Sequence, residues 1–267
     1  MLKAVILDWA GTVLDHGSRA PMGAFVEVFR AFGVAIAVEE ARGPMGMAKW
    51  DHIRTLGRHP RIAEAWRAAH GRDFADADAD RIHDVFVPMS ARVVAEPEYA
   101  TLIPGAAAAV AELRARGLRI GSTTGYTREI MAPLLPAAAA QGYAPDNLVC
   151  AGDLPEGRPS PMMMYRCFLE LGIHPAAACI KVDDTTPGIG EGVAAGCWAV
   201  GVALTGNECG LSLAELEAEP PARIAELRAK AAWALRSAGA HYVVDGIAEL
   251  PAVAAEIAAR MARGERP

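Results

Sequence analysis

From Pro104 to the C-terminus, short runs rich in β-branched residues alternate with helical periods, and few folds accept that alternation. Helix 105–116 leads to a strand over Leu118–Thr124, and helix 128–140 to a strand near Asn147–Cys150. Helix 161–171 leads to Cys179–Asp184, helix 188–195 to Trp198–Leu204, and His241–Val244 to a last helix over 247–262. Strands that each return through a helix lie parallel, so the expected core is α/β, a doubly wound parallel sheet. The Ala- and Glu-rich stretch 211–238 reads as helix with one face in solvent.

One further strand, Met1–Trp9, stands apart at the N-terminus. Its end, Val5–Thr12 (Val-Ile-Leu-Asp-Trp-Ala-Gly-Thr), carries three apolar residues straight into Asp8 and a Gly-Thr turn, which puts a carboxylate at the carboxyl edge of a buried strand. An aspartate there also fits a helix cap; the other strand ends decide between the readings. After a polar connection over Asp15–Pro21, the periods stay helical: Pro21–Phe32, Glu39–Arg42, Met47–Leu56, Ile62–His70 and Ala79–Val94, with no strand-like run among them. The helical block is therefore expected to be inserted between the first strand and its own domain. The expected division is a sheet domain of residues 1–16 and 96–267 and a helical domain of residues 17–95.

With 52% hydrophobic residues the chain has ample material for a core. A formal charge of −6, a pI near 5.7 and no basic run leave no electrostatic footprint for nucleic acid. No apolar run reaches the roughly 18 residues of a membrane-spanning helix, and the chain enters a strand within its first few residues, so a cytoplasmic protein acting on a small molecule is expected. The five cysteines lack Cys-x-x-Cys spacing and read as buried thiols, and His16, His59, His70, His83, His174 and His241 have no metal-ligand spacing.

Right-handed crossovers bring all the strand ends to one edge of the sheet. There the sequence offers Asp8; Ser122-Thr123-Thr124-Gly125; Gly157-Arg158-Pro159 ahead of a helix; and Asp183-Asp184-Thr185. A nucleophilic carboxylate, hydroxyl and amide donors, a fixed cation and an acidic pair together suit phosphoryl transfer. Asp8 would attack phosphorus to give an aspartyl-phosphate. Thr124, the amides from Gly125 onward, and Arg158 would hold the phosphoryl oxygens. Asp8 and Asp184 would hold Mg2+, a hard cation that offsets the repulsion between carboxylate and phosphate, with Asp183 as a partner behind them.

These four segments match the motifs of the haloacid dehalogenase superfamily, which the chain resembles over its whole length. The resemblance implies a Rossmann-like core, a helical cap over residues 17–95 inserted after the first motif, and a magnesium ligand in the backbone carbonyl of Ala10. One departure carries consequences. Phosphatases of the superfamily place a second aspartate two residues after the nucleophile, where it protonates the departing alkoxide; this chain has Ala10. The inserted block supplies another means of handling a leaving group. Lys49 sits in the apolar helical segment Pro44–His52, where burial would depress its pKa toward a neutral amine able to form a Schiff base with a carbonyl. The chain otherwise prefers arginine, with lysine only at positions 3, 49, 181 and 230.

The segments Met45–His52, Ile120–Glu129 and Gly157–Pro159 are similar to signature segments of the phosphonatases, the branch of that superfamily that cleaves carbon–phosphorus bonds. The resemblance implies hydrolysis of phosphonoacetaldehyde to acetaldehyde and phosphate through a Lys49 Schiff base and an Asp8 aspartyl-phosphate. The iminium would accept electrons that a bare carbanion could not hold, so no acid would be needed where Ala10 stands. It also implies a homodimer formed through the caps, places Met45 near the Schiff base, and aligns Ser18 with a cysteine of some relatives. His52, one helical turn from Lys49, either moves protons and tunes the amine or is structural. Tyr126 would position a water or the cap, Gly11 would serve the turn, and Thr12 would serve it through its hydroxyl or as a cap. Two rivals remain at this point: a phosphate-ester phosphatase or phosphomutase of the same fold, against which Ala10 argues, and a binding module without turnover, against which Asp8, Arg158 and Asp184 together argue.

Overall fold

The central element is the strand that the chain makes first. In a computed structural model describing all 267 residues, β1 (Ala4–Leu7), β2 (Arg119–Thr124), β3 (Val149–Cys150), β4 (Cys179–Asp183), β5 (Trp198–Val202) and β6 (Tyr242–Val244) form one sheet. Its order is β3-β2-β1-β4-β5-β6, with every pair parallel. The helices are α1 (Ala20–Ala31), α2 (Val38–Arg42), α3 (Lys49–Arg58), α4 (Pro60–His70), α5 (Asp76–Val93), α6 (Pro97–Ala100) and α7 (Ala106–Ala115). They continue with α8 (Arg128–Ala140), α9 (Met162–Leu171), α10 (Thr186–Ala194), α11 (Leu213–Ala218), α12 (Pro221–Ser237) and α13 (Leu250–Ala262).

Successive side chains of a strand point to opposite faces, and β1 uses both. Val5 and Leu7 join the apolar cluster formed with Val110 and Leu113 of α7, Leu134 of α8 and Ile257 of α13, whereas Ala4 and Ile6 pack with Met164, Cys167 and Leu171 of α9. The first cluster continues without a break into Phe25, Ile53, Trp66 and Phe86 of the helices between β1 and α6. That helical block is thus seated on the sheet domain, chiefly where α5 packs on α8. All five cysteines are buried free thiols, and no helix is long and apolar enough to cross a membrane.

The sheet is α/β and doubly wound as expected, and its differences from the sequence reading are local. The chain leaves β1 early because the Trp9 carbonyl accepts from the amides of Thr12, Val13 and Leu14, which closes a turn rather than extending the ladder. β3 is only two residues long, an edge strand paired to β2 through Thr123–Val149 and Thr124–Cys150. The stretch 211–238 breaks into two helices at Pro220–Pro221, since a proline disfavours helical backbone in the residue before it. The single-turn α6 has no counterpart in the sequence reading.

One strand carries charge into the interior. Lys181 of β4 is fully buried beneath α10, and Gly188 and Gly192, one face of that helix, make room for what lies below. A Cβ at Gly192 would stand 2.6 Å from Lys181 Cβ, and one at Gly188 would stand 1.9 Å from Asp183 Cγ. Glycine is poor in a helix interior, but here the missing side chain is what lets a helix lie over a lysine and an aspartate.

Candidate active site

The strand order reverses direction between β1 and β4, and the crevice outside their carboxyl ends is where open α/β sheets bind ligands. Register brings the groups together: Leu7 pairs with Val182 on one side and Ser122 on the other, so Asp8, Asp183 and Thr123 follow at one level. Asp8, Asp183 and Asp184 are all buried, and each offers a carboxylate oxygen within 4.8 Å of the others.

Arg158 organises this end of the sheet. One terminal nitrogen, Nη2, lies 2.8 Å from Asp8 Oδ1 and also donates to the carbonyl (2.7 Å) and Oγ1 (2.9 Å) of Thr123. Nη1 lies 3.3 Å from Asp183, and Nε donates to Glu191 Oε2 at 3.1 Å. Lys181 completes the set, with Nζ donating to Thr123 Oγ1 (2.6 Å) and lying 3.0 Å from Asp183 and 3.1 Å from Glu191. Burial pulls the Arg158 guanidinium down, but Asp183, Asp8 and Glu191 outweigh it and hold it above its ordinary range. Burial also raises the carboxyl of Asp183, and there Arg158 and Lys181 win, leaving it below the usual carboxylate range.

Asp8 and Asp184 are less well satisfied. Burial raises Asp8 above the ordinary carboxylate range despite Arg158. Asp184 is pushed far higher, by burial and then by Asp8 and Asp183, and its partners are neutral: the Asn207 amide at 2.8 Å and the Thr12 hydroxyl at 3.4 Å. Four buried carboxylates, Asp8, Asp183, Asp184 and Glu191, face three buried cations, Arg158, Lys181 and the Lys49 amine above them, so at least one negative charge has no partner. A divalent cation with a preference for oxygen fits that deficit, in charge and in donor chemistry, at Asp8 and Asp184.

The helical block closes the crevice from above. Gly46 (φ +91°) lies against Thr185, whose Oγ1 is 2.2 Å from where a Cβ would be, and a Cβ at Gly125 would stand 2.7 Å from the Met47 carbonyl. Only glycines permit this approach. Lys49, the first residue of α3, is thereby carried into a cavity that it shares with Asp8, Ala10, Ser18, Met45, Thr124, Gly125, Tyr126 and Arg158. Its free space is about 20 Å³, room for about one water. The Lys49 ammonium lies 5.0 Å from the ring centre of Tyr126 and 5.6 Å from that of Phe25, with the Met45 sulfur at 3.8 Å. Burial lowers its pKa to about 8, only partly opposed by Asp8.

Of the residues given a role in the sequence, Asp8, Ala10, Ser18, Met45, Lys49, Thr124, Gly125, Tyr126 and Arg158 line this cavity, whereas Gly11, Thr12, His52, Asp183 and Asp184 do not. Asp183 and Asp184 each bring a carboxylate oxygen within 4.8 Å of Asp8, and the Thr12 hydroxyl reaches Asp184 at 3.4 Å. His52 lies behind: its ring stacks on Phe25 at 3.9 Å, and Nε2 contacts the Ala41 carbonyl at 2.8 Å. A carbonyl only accepts, so Nε2 carries the proton and Nδ1, which has no partner, does not. Burial, and then Lys49, push the imidazole well below its ordinary pKa, so it is neutral. Thr124 Oγ1 accepts from the Tyr126 amide at 3.1 Å, which shapes the turn after β2. The sequence reading gave no role to Lys181 or Glu191. Their signal was a lysine inside the apolar run Cys179–Val182 followed by a Gly-x-x-x-Gly helix carrying a glutamate.

The crevice, its carboxylates and the helical cover define a hydrolase, and the chain belongs to the haloacid dehalogenase-like hydrolases, whose family model matches residues 2–196. Among its relatives, phosphonoacetaldehyde hydrolase of Paraburkholderia phytofirmans is 54% identical over 100% of this chain and 99% of its own length. That of Klebsiella pneumoniae is 51% identical with the same coverage. A crystal structure of a phosphonoacetaldehyde hydrolase-like protein from Oleispira antarctica superposes with a TM-score of 0.97 at 44% identity, covering 100% of this chain and 96% of the other.

Proposed function

We propose that this hydrolase cleaves the carbon–phosphorus bond of phosphonoacetaldehyde, giving acetaldehyde and phosphate. The observation that carries the reading is a buried amine, Lys49, whose pKa of about 8 leaves a usable neutral fraction, in one cavity with the carboxylate of Asp8 and with Ala10 where an acid would otherwise stand. Lys49 condenses with the aldehyde, releasing water and forming an iminium. Asp8 attacks phosphorus; the carbon–phosphorus bond breaks, and its electron pair passes to the iminium, leaving an enamine on Lys49 and phosphate on Asp8. Water hydrolyses the aspartyl-phosphate. The enamine takes a proton at carbon, and hydrolysis of the resulting iminium frees acetaldehyde and the amine.

The remaining residues hold this geometry. Thr124, Gly125 and Arg158 bind the phosphonate oxygens; Asp183, Lys181 and Glu191 fix the guanidinium. Met45 and Tyr126 keep the amine in a poorly solvated setting, and neutral His52 anchors α3 through Ala41 without adding a second positive charge beside Lys49. Asp8, Asp184 and the Ala10 carbonyl hold Mg2+, with Thr12 supporting Asp184. When bound, the ion offsets the repulsion between the attacking carboxylate and the phosphonate. Residues 17–95 act as a cap over a core of residues 1–16 and 96–267. The cavity is too small for the substrate to pass in as it stands, so the cap opens to load and closes to exclude water. The protein is a homodimer joined through its caps.

Borohydride reduction in the presence of phosphonoacetaldehyde or acetaldehyde, followed by peptide mass mapping, tests the reading. It expects one adduct, on the Lys49 peptide. No adduct, with phosphate esters hydrolysed instead, would assign the chain to the phosphatases or phosphomutases of the fold.

A further inference from the structure

Arg42 is a cation that the proposed chemistry does not use. It ends α2, within the proposed cap, yet every acceptor of its guanidinium belongs to the segment after β1 or to the loop after β5. Nη1 donates to the Gly17 carbonyl (2.9 Å) and to the carbonyl (3.3 Å) and side-chain oxygen (3.2 Å) of Asn207, and Nη2 donates to the Gly210 carbonyl at 3.0 Å. None of these acceptors is a carboxylate. A half-buried guanidinium whose hydrogen bonds all go to neutral oxygens gains little net stability, because its desolvation offsets much of what the hydrogen bonds return.

What the arrangement does is fix Asn207 from one side while Asp184 fixes it from the other. The Asn207 amide donates to Asp184 Oδ2 at 2.8 Å, and the only other hydrogen bond to that carboxylate from another residue is the long one from Thr12. The loop is shaped for this contact, since a Cβ at Gly206 would stand 2.4 Å from Asp184 Cβ, and one at Gly210 (φ +73°) would stand 2.8 Å from Arg42 Cζ. A continuous path runs from α2 through Arg42 and Asn207 to the carboxylate that carries the unmet charge.

We infer that Arg42 is a positioning residue that seats Asn207 so that its amide orients Asp184 for the cation, which makes cation affinity depend on the cap being closed. The inference rests on the proposed metal site and cap. By linkage, whatever factor closure contributes to cation affinity, the cation returns to closure.

The test compares Mg2+ affinity by isothermal titration calorimetry, and hydrogen exchange across residues 204–212 with and without Mg2+, for the wild type, Arg42→Ala and Arg42→Lys. A residue acting behind a metal ligand is worth about 10–100-fold in affinity. Arg42→Ala is therefore expected to weaken Mg2+ by about tenfold or more. It should also leave the 204–212 amides exchanging fast with the ion present. Arg42→Lys keeps the charge but loses the fork, and falls between. If the alanine variant does not fold, the lysine variant carries the comparison. Affinities within about twofold of wild type, even with a lowered melting temperature, would make Arg42 merely structural and overturn the inference while leaving the metal site intact. A wild type that binds no Mg2+ would overturn both.

Discussion

Replacing Lys49 with methionine should destroy the activity and stabilise the protein, and the size of the gain follows from the site. The amine falls from its ordinary 10.5 to about 8 on folding, with burial the main cause. At about 1.4 kcal/mol per tenfold change in proton affinity, holding that ammonium in the folded state costs about 3 kcal/mol at neutral pH. The sign runs opposite to that of a salt-bridged lysine. Below pH 8 the group is charged in both states and the full cost is present. Between 8 and 10.5 the unfolded chain binds the extra proton, so stability rises with pH until the cost is gone. Methionine has similar length and no charge, so Lys49→Met should be more stable than wild type by about 3 kcal/mol at pH 7 and by only about 1.5 kcal/mol at about pH 9.5. Urea unfolding of both proteins at the two pH values measures it, and taking the difference cancels the titrating groups that Lys49 does not influence. A variant no more stable than wild type at pH 7, or a gain of equal size at both, would show that the amine is not desolvated and remove the basis of its assigned reactivity.

Three further outcomes are expected. Glu191→Gln removes the carboxylate that Arg158 Nε and Lys181 Nζ share, and breaking that buried contact should cost about 3–5 kcal/mol in urea unfolding even though Asp183 still pairs with both; adding Lys181→Met should recover part of that, and a strictly additive double mutant would refute the coupling. Gly188→Ala places a methyl 1.9 Å from Asp183 Cγ and should lower both melting temperature and turnover, whereas Gly23→Ala, in α1 with nothing within 4 Å, should raise stability by up to about 1 kcal/mol; similar effects at the two positions would refute the packing argument. Ala10→Asp adds another carboxylate to a site already short of positive charge and should not speed phosphate release from phosphonoacetaldehyde; faster release would mean that the leaving group needs an acid after all.

The parts legible in the sequence are those written in local patterns. Alternating strands and helices gave the doubly wound sheet, and helix boundaries fell within a few residues because periodicity and breakers such as Gly33 are local signals. Asp8, Thr124, Arg158 and the Asp183–Asp184 pair stood out because each ends a strand or precedes a helix. Lys181, Glu191, Arg42 and Asn207 did not, because their meaning is in their partners. Lys181 meets Thr123 across 58 residues, and Arg42 meets Asn207 across 165. Only the sheet order and the seating of the helical block bring them together. His52 stood open between two roles in the sequence, and its placement against Ala41 and Phe25 rests on packing that spacing alone does not encode.

The central place of β1 also shapes how the molecule is made. Its neighbours are Arg119–Ser122 and Cys179–Val182, so Ala4–Leu7 leaves the ribosome long before either partner strand exists. At about 5–20 residues per second, the wait until β4 has been synthesised is roughly 10–35 seconds. Throughout it, an apolar segment with at least one open edge is exposed to other nascent chains, the condition under which strands aggregate. The helices from α1 to α5 are contiguous in sequence and can close around Phe25, Trp66 and Phe86 meanwhile. The helical block is thus complete before the crevice it will cover, and the strand that carries Asp8 waits longer for its second neighbour than any other strand of the sheet.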